Sequence, residues 1–133
     1  MQVFVNLPVA DLARARAFWE TLGFSFDPRF SDDATALALR LSDHAHAMLL
    51  SQARFADFTP RRIADAHATT EVLVALQLDS RDAVADLTAR AVAAGGARVR
   101  AFEDLGFMVS DAFADPDGHI WEPFWMDPAA QGE

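Results

Sequence analysis

Alternation opens the chain: Val3, Val5, Leu7 and Val9 share one parity and Gln2, Phe4 and Asn6 the other, which predicts a strand over Val3–Val9 with one buried face. The period then changes. Leu12, Ala15, Trp19 and Leu22 recur at helical spacing, so a helix is predicted over Leu12–Leu22, with Asp11 as its N-cap and Gly23 as its stop. Roughly 70 residues later the same signals return in the same order. Glu71–Asp79 alternates, Ser80 can cap, and Val84, Leu87, Ala91 and Ala94 form the stripe of a second helix that ends at Gly95-Gly96.

Shorter strand candidates follow each helix, at Gly23–Asp27, Ala34–Leu41 and His46–Ser51 in the first half and at Arg98–Glu103, Phe107–Ala112 and Ile120–Trp125 in the second. Ser31-Asp-Asp33, Ser42-Asp43, Asp104-Leu-Gly106 and Asp115-Pro-Asp-Gly118 supply the turns between them. The expected fold class is therefore α+β, with two tandem βαβββ modules over residues 1–52 and 71–127 in a single domain of 133 residues. The linker 53–70 is polar and carries Phe55, Phe58 and Pro60.

Strand parity separates two faces. Val72, Val74, Leu76 and Leu78 belong with Val3, Val5, Leu7 and Val9 on the helix side, whereas Leu73, Ala75 and Gln77 oppose them, as Phe4 and Asn6 do. Ile120, Glu122 and Phe124 likewise share a face of the last strand. Glu122 stands out there, because a buried carboxylate without a partner costs several kcal/mol. It is either a pocket carboxylate that acts as a base or binds a cation, or a strand residue tied up by an Arg or by backbone donors. An apolar face with the amides of Asn6 and Gln77 has the character of a pocket wall.

Composition removes several chemistries. Cys, Lys and Tyr are absent and all 11 basic residues are Arg, so a thiol nucleophile, a thiolate metal site and a Schiff-base lysine are excluded. A net charge of −9 argues against nucleic acid or anionic membrane as a partner. No run of about 18 apolar residues and no signal-like segment is present, which leads to an expectation of cytoplasmic location.

The opening Val5-Asn-Leu-Pro-Val-Ala-Asp-Leu-Ala-Arg-Ala-Arg-Ala-Phe-Trp19, the Leu22-Gly-Phe24 that follows, and Phe113-Ala-Asp-Pro-Asp-Gly-His-Ile-Trp-Glu122 complete a pattern, over nearly the whole chain, that resembles the vicinal-oxygen-chelate superfamily. That group holds glyoxalases, bleomycin- and fosfomycin-resistance proteins and extradiol dioxygenases. The resemblance implies a half-open, curved mixed sheet around a cavity, with helices outside, commonly completed in a homodimer.

Metal-dependent members of the superfamily place His, Gln or Glu on the cavity face of four strands. Here those positions fall on Phe4, on Met48 or Leu50, on Leu73 and on Glu122, and one carboxylate does not hold a divalent cation alone. No metal site or cofactor is therefore expected, a divalent metal being the alternative. His44 and His46 have a formally chelating spacing beside a turn, where exposed His is ordinary, and His119 has the opposite parity to Glu122. The expected function is binding of a small apolar or aromatic molecule by Phe4, Asn6, Met48, Leu50, Gln77, Glu122 and Phe124, in the manner of bleomycin-type members. The alternative is a metal-dependent glyoxalase-like lyase, isomerase or dioxygenase with Glu122 as its catalytic residue.

Overall fold

A computed structural model of the chain describes residues 1–131, which fall into two compact units, Met1–Ala66 and a second that begins at His67. In the first unit, β1 (Val3–Val9) leads into α1 (Leu12–Thr21), a 3-10 turn at Pro28–Phe30, β2 (Ala36–Arg40), β3 (Ala45–Ser51) and α2 (Gln52–Ala56). Its three strands lie in the order β1-β3-β2. β1 runs parallel to β3, and β2 antiparallel to it. Edge position lets β1 carry Pro8, which has no N–H to give a second neighbour.

α1 forms as its stripe predicts: Ala15, Phe18 and Trp19 are buried, Asp11 accepts the Arg14 amide at 3.0 Å, and Gly23 follows the helix at φ +90°. Leu7, Val9, Leu37, Leu39, Ala47 and Leu49 complete the core of this unit. The helix-side parity of β1 holds at Leu7 and Val9 but not at Val3, which is 48% exposed.

The second unit repeats the plan with β4 (Leu73–Gln77), α3 (Arg81–Ala93), β5 (Ala97–Asp104), β6 (Met108–Ala114) and β7 (Ile120–Met126), followed by α4 (Pro128–Gln131). Strand order is β4-β7-β6-β5, with β4 parallel to β7 and the other pairs antiparallel. Ser80 caps α3 through the Ala83 amide, and the helix buries Val84, Leu87 and Ala91 toward Val109, Phe113 and Trp121. Gly95, at φ +112°, ends the helix where a side chain would be strained.

One expected strand needs correction. Gly23–Asp27 makes only an isolated bridge, Phe26 to Leu39, because the Asp27 carboxylate accepts the Arg29 amide and turns the chain into Pro28–Phe30. The linker opens within a short helix: Ser51 accepts the Arg54 amide at 3.2 Å and caps α2. Among the described residues no helix is long and apolar enough to cross a membrane.

Candidate functional site

Register decides which side chains share a face. In the first unit Phe4 pairs with His46 and Asn6 with Met48, and on the other side of β3 His46 pairs with Arg40 and Met48 with Ala38, so these lie together on the face away from α1. Phe4 and Asn6 are exposed, Met48 is half-buried, and Leu50, on the same face, is only 3% exposed. In the second unit Leu73, Ala75 and Gln77 pair with Ile120, Glu122 and Phe124, as strand parity predicted. Leu73 is 54% exposed there, Gln77 is exposed, and Glu122 and Phe124 are half-buried.

What faces Glu122 is Arg100. Its Nη2 donates to Glu122 Oε2 at 3.2 Å and to Ser110 Oγ and the Asp111 carbonyl, each at 3.3 Å. Arg100 reaches across from β5 because it pairs with Ala112 of the intervening strand. It also serves the backbone where β7 has Pro123, a residue without an N–H, opposite the Asp111 stretch of β6. Of the two readings of Glu122, the pairing matches the strand residue tied up by an Arg.

The first unit holds a cluster that the pattern of the sequence does not reveal. His46, set beside an ordinary exposed turn by its neighbours Ser42 and Asp43, is 1% exposed; this corrects the expectation of a solvated side chain. It lies in the strand interior under Phe4, whose ring stacks on the imidazole at 4.9 Å and 9°, while the Phe30 ring meets it edge-on at 5.9 Å. Its Nε2 is 3.4 Å from Asp27 Oδ2. Asp27, also 1% exposed, accepts from Arg29 Nη2 at 2.7 Å and from Arg40 Nη2 at 3.3 Å. His44 instead is exposed, 3.2 Å from Gln2 through Nδ1, so the two imidazoles do not share an environment.

Asp115 organises the Asp-Pro-Asp-Gly turn that carries the chain into β7. Its Oδ1 accepts from the amides of Asp117 and His119, at 2.9 and 3.1 Å, and its Oδ2 from Trp121 Nε1 at 3.0 Å. His119 thus helps to close the turn through its backbone. Asp111, wholly buried, binds Arg98 at 2.5 Å.

Asp27, Asp32, Asp104 and Asp115 are shifted in opposite senses. Hydrogen bonds from Arg29 hold Asp27 well below the ordinary 3.8, against the effect of burial, and the Thr35 hydroxyl and amide with the Ala36 and Ala34 amides do the same for Asp32. Asp104 is lowered by the Gly106 amide and by Arg81. Burial pushes Asp115 up. A group lowered in the fold gives stability that is complete above its unfolded value and lost as pH falls through its folded one; Asp115, being raised, gives stability at low pH that is lost as pH rises. Three act one way and one the other, so the melting temperature should fall steeply below about pH 4, and Asp32→Asn should flatten the fall. A melting temperature constant from neutral pH to about pH 2.5 would contradict this assignment.

The donor chemistry can be set against a metal centre of the superfamily type. Phe4 and Leu73 offer hydrocarbon, Met48 a weak thioether, and Leu50 hydrocarbon, while Glu122 is engaged by Arg100. None of the first four side chains offers an oxygen or nitrogen donor. Among the described residues no group of three or more His, Asp or Glu is placed to hold one.

Residues 2–36 match the family described as bleomycin resistance protein-like N-terminal. No curated protein matches the chain. A glyoxalase-related enzyme from Fulvimarina pelagi superposes with a TM-score of 0.77 at 22% identity, covering 94% of this chain and 87% of the other. A glyoxalase/bleomycin resistance protein/dioxygenase family enzyme from Burkholderia phytofirmans PsJN gives 0.75 at 17% identity, with 92% and 96% covered. The bleomycin resistance determinant encoded on transposon Tn5 gives 0.63 at 22% identity, with 95% and 98% covered. By its tandem units, βαββ and βαβββ, and by these superpositions, the chain has the fold of the glyoxalase and bleomycin-resistance proteins of the vicinal-oxygen-chelate superfamily.

Proposed function

We propose that this chain is a small-molecule-binding protein of the glyoxalase/bleomycin-resistance type that works without a catalytic metal. Its ligand is a small apolar or aromatic compound; the candidate contacts are Phe4, Asn6, Met48 and Leu50 on the sheet face of the first unit, and Gln77, Glu122 and Phe124 on that of the second, each face taken by itself. One observation carries the reading: where metal-dependent relatives need donors, this chain has hydrocarbon, and its single carboxylate there is already paired with Arg100. Exposed apolar side chains on the same faces, Phe4 at 39% and Leu73 at 54%, support a role in binding. A cytoplasmic homodimer is part of the same proposal, and twice the chain mass in light scattering at micromolar concentration tests it.

Binding to the native state must stabilise it. From a panel of soluble metabolites and antibiotics, at least one compound should raise the melting temperature, and Phe124→Ala should abolish the rise by removing ring contact. A panel with no stabilising member counts against the proposal. The second reading, a metal-dependent lyase, isomerase or dioxygenase, draws on the enzyme names of some structural neighbours. It needs Glu122 to leave Arg100 and two further donors to join it. Stoichiometric nickel, zinc, iron or manganese in purified protein, lost on Glu122→Ala, would favour that reading.

A further inference from the structure

Two of the Arg–carboxylate pairs, Arg29–Asp27 and Arg100–Glu122, are built differently. Arg29 grips Asp27 with both Nε and Nη2, the shortest contact being 2.7 Å, and so uses its fork as such pairs ordinarily do. Arg100 meets Glu122 through Nη2 alone at 3.2 Å, long for a charge-assisted bond, and divides that nitrogen among three acceptors. Among the described residues its Nη1 has only the Ala101 carbonyl, at 3.4 Å, and none donates to Glu122 Oε1. Arg100 is 38% exposed and Glu122 25%, so both reach the surface of this face. A donor edge and an acceptor oxygen therefore stand side by side with unused capacity.

The surroundings favour a particular shape. Ala75 is directly opposite Glu122 in the parallel register and leaves the space beside the carboxylate low. Phe124 follows two residues on along the same face, and exposed Leu73 stands opposite Ile120. An aromatic body laid on Phe124 can thus bring a polar edge to the pair. The charges on Arg100 and Glu122 cancel, so an anionic edge meets repulsion from Glu122 and a cationic one from Arg100. A neutral group that accepts and donates meets neither.

We infer that the Arg100–Glu122 pair is the polar anchor of this face and selects flat apolar ligands bearing a neutral acceptor–donor edge such as a carboxamide, the carbonyl taking Arg100 and the N–H taking Glu122 Oε1. The inference rests on the binding reading above and names the ligand class of that site.

Four probes of one shape test it on the full chain: benzamide, benzoate, benzamidine and toluene, titrated while the side-chain NMR signals of Leu73 and Phe124 are followed. Benzamide should bind about fivefold more tightly than each of the others, the scale of one net hydrogen bond. Glu122→Met leaves Arg100 unbalanced and should move the preference to benzoate; Arg100→Met should move it to benzamidine. These inversions are not expected of a pair that only supports the fold, and circular dichroism verifies that each variant folds. A charged probe that wins on the wild type, or variants that keep its order, would overturn the inference. Toluene separates the two proposals: if it shifts these signals and benzamide binds no better, only the ligand class falls, whereas silence from all four overturns both.

Discussion

Trp121→Ala is expected to cost about 4 kcal/mol or more, enough to leave a domain of ordinary stability mostly unfolded on mild heating. Two losses combine. The ring is fully buried, so truncation leaves a cavity in the core of the second unit. Its Nε1 is also the donor to Asp115 Oδ2, and removal takes away one of the bonds that offset the burial of that carboxyl. Trp121→Phe separates the two, since it keeps most of the packing and deletes only the donor. It should cost about 1–2 kcal/mol. Urea unfolding followed by circular dichroism measures both. An alanine variant that melts within about 3 °C of the wild type would show that the turn and ring contribute little.

Arg98→Ala should be the second large effect. Asp111 is 0% exposed, its Oδ1 is held by Arg98 and by the amide of Ala112, and its Oδ2 has no hydrogen-bond partner among the described residues. Removing the cation strands a buried carboxylate, which is far worse than removing a pair. Arg98 itself is 44% exposed, so solvent shares the interaction and the expected loss is about 2 kcal/mol rather than the larger figure of an enclosed pair. The double variant Arg98→Met/Asp111→Leu should recover most of it, because it leaves no charge behind. If the single variant melts like the wild type, or the double one is worse than the single, Asp111 does not depend on Arg98.

The periodic parts of the fold could be read from single residues. Leu7 and Val9 against Phe4 and Asn6 set the faces of β1, Asp11 and Ser80 set the starts of α1 and α3, and Gly23 and Gly95 set their ends. Parity also put Leu73, Ala75 and Gln77 beside Ile120, Glu122 and Phe124, because it needs only the alternation of a strand. Gly23–Asp27 misled because its apolar Phe24 and Phe26 resemble a strand, while Asp27, followed by Pro28 and Arg29, favours a turn closed by its own side chain.

The polar partnerships were harder to see. A sequence shows that Glu122 needs a partner but not that Arg100, two strands away, supplies it, since that depends on the bulges that re-aim β5. His46 shows the same limit, because what buries it is Phe4, 42 residues earlier, and the Asp27 cluster, so its neighbours in sequence suggested a surface. Asp27 with Arg29 two residues on was a signal within reach: a carboxylate, a Pro and an Arg in one tight turn can form a local bidentate pair.

The most direct measurement pairs a ligand with a chelator. Using a compound that raises the melting temperature of the wild-type chain, the rise is recorded again after exhaustive treatment with EDTA. If binding needs no metal, the rise is unchanged, and it disappears in Phe124→Ala whether or not chelator is present. A rise that EDTA abolishes and a single divalent metal restores would contradict the account.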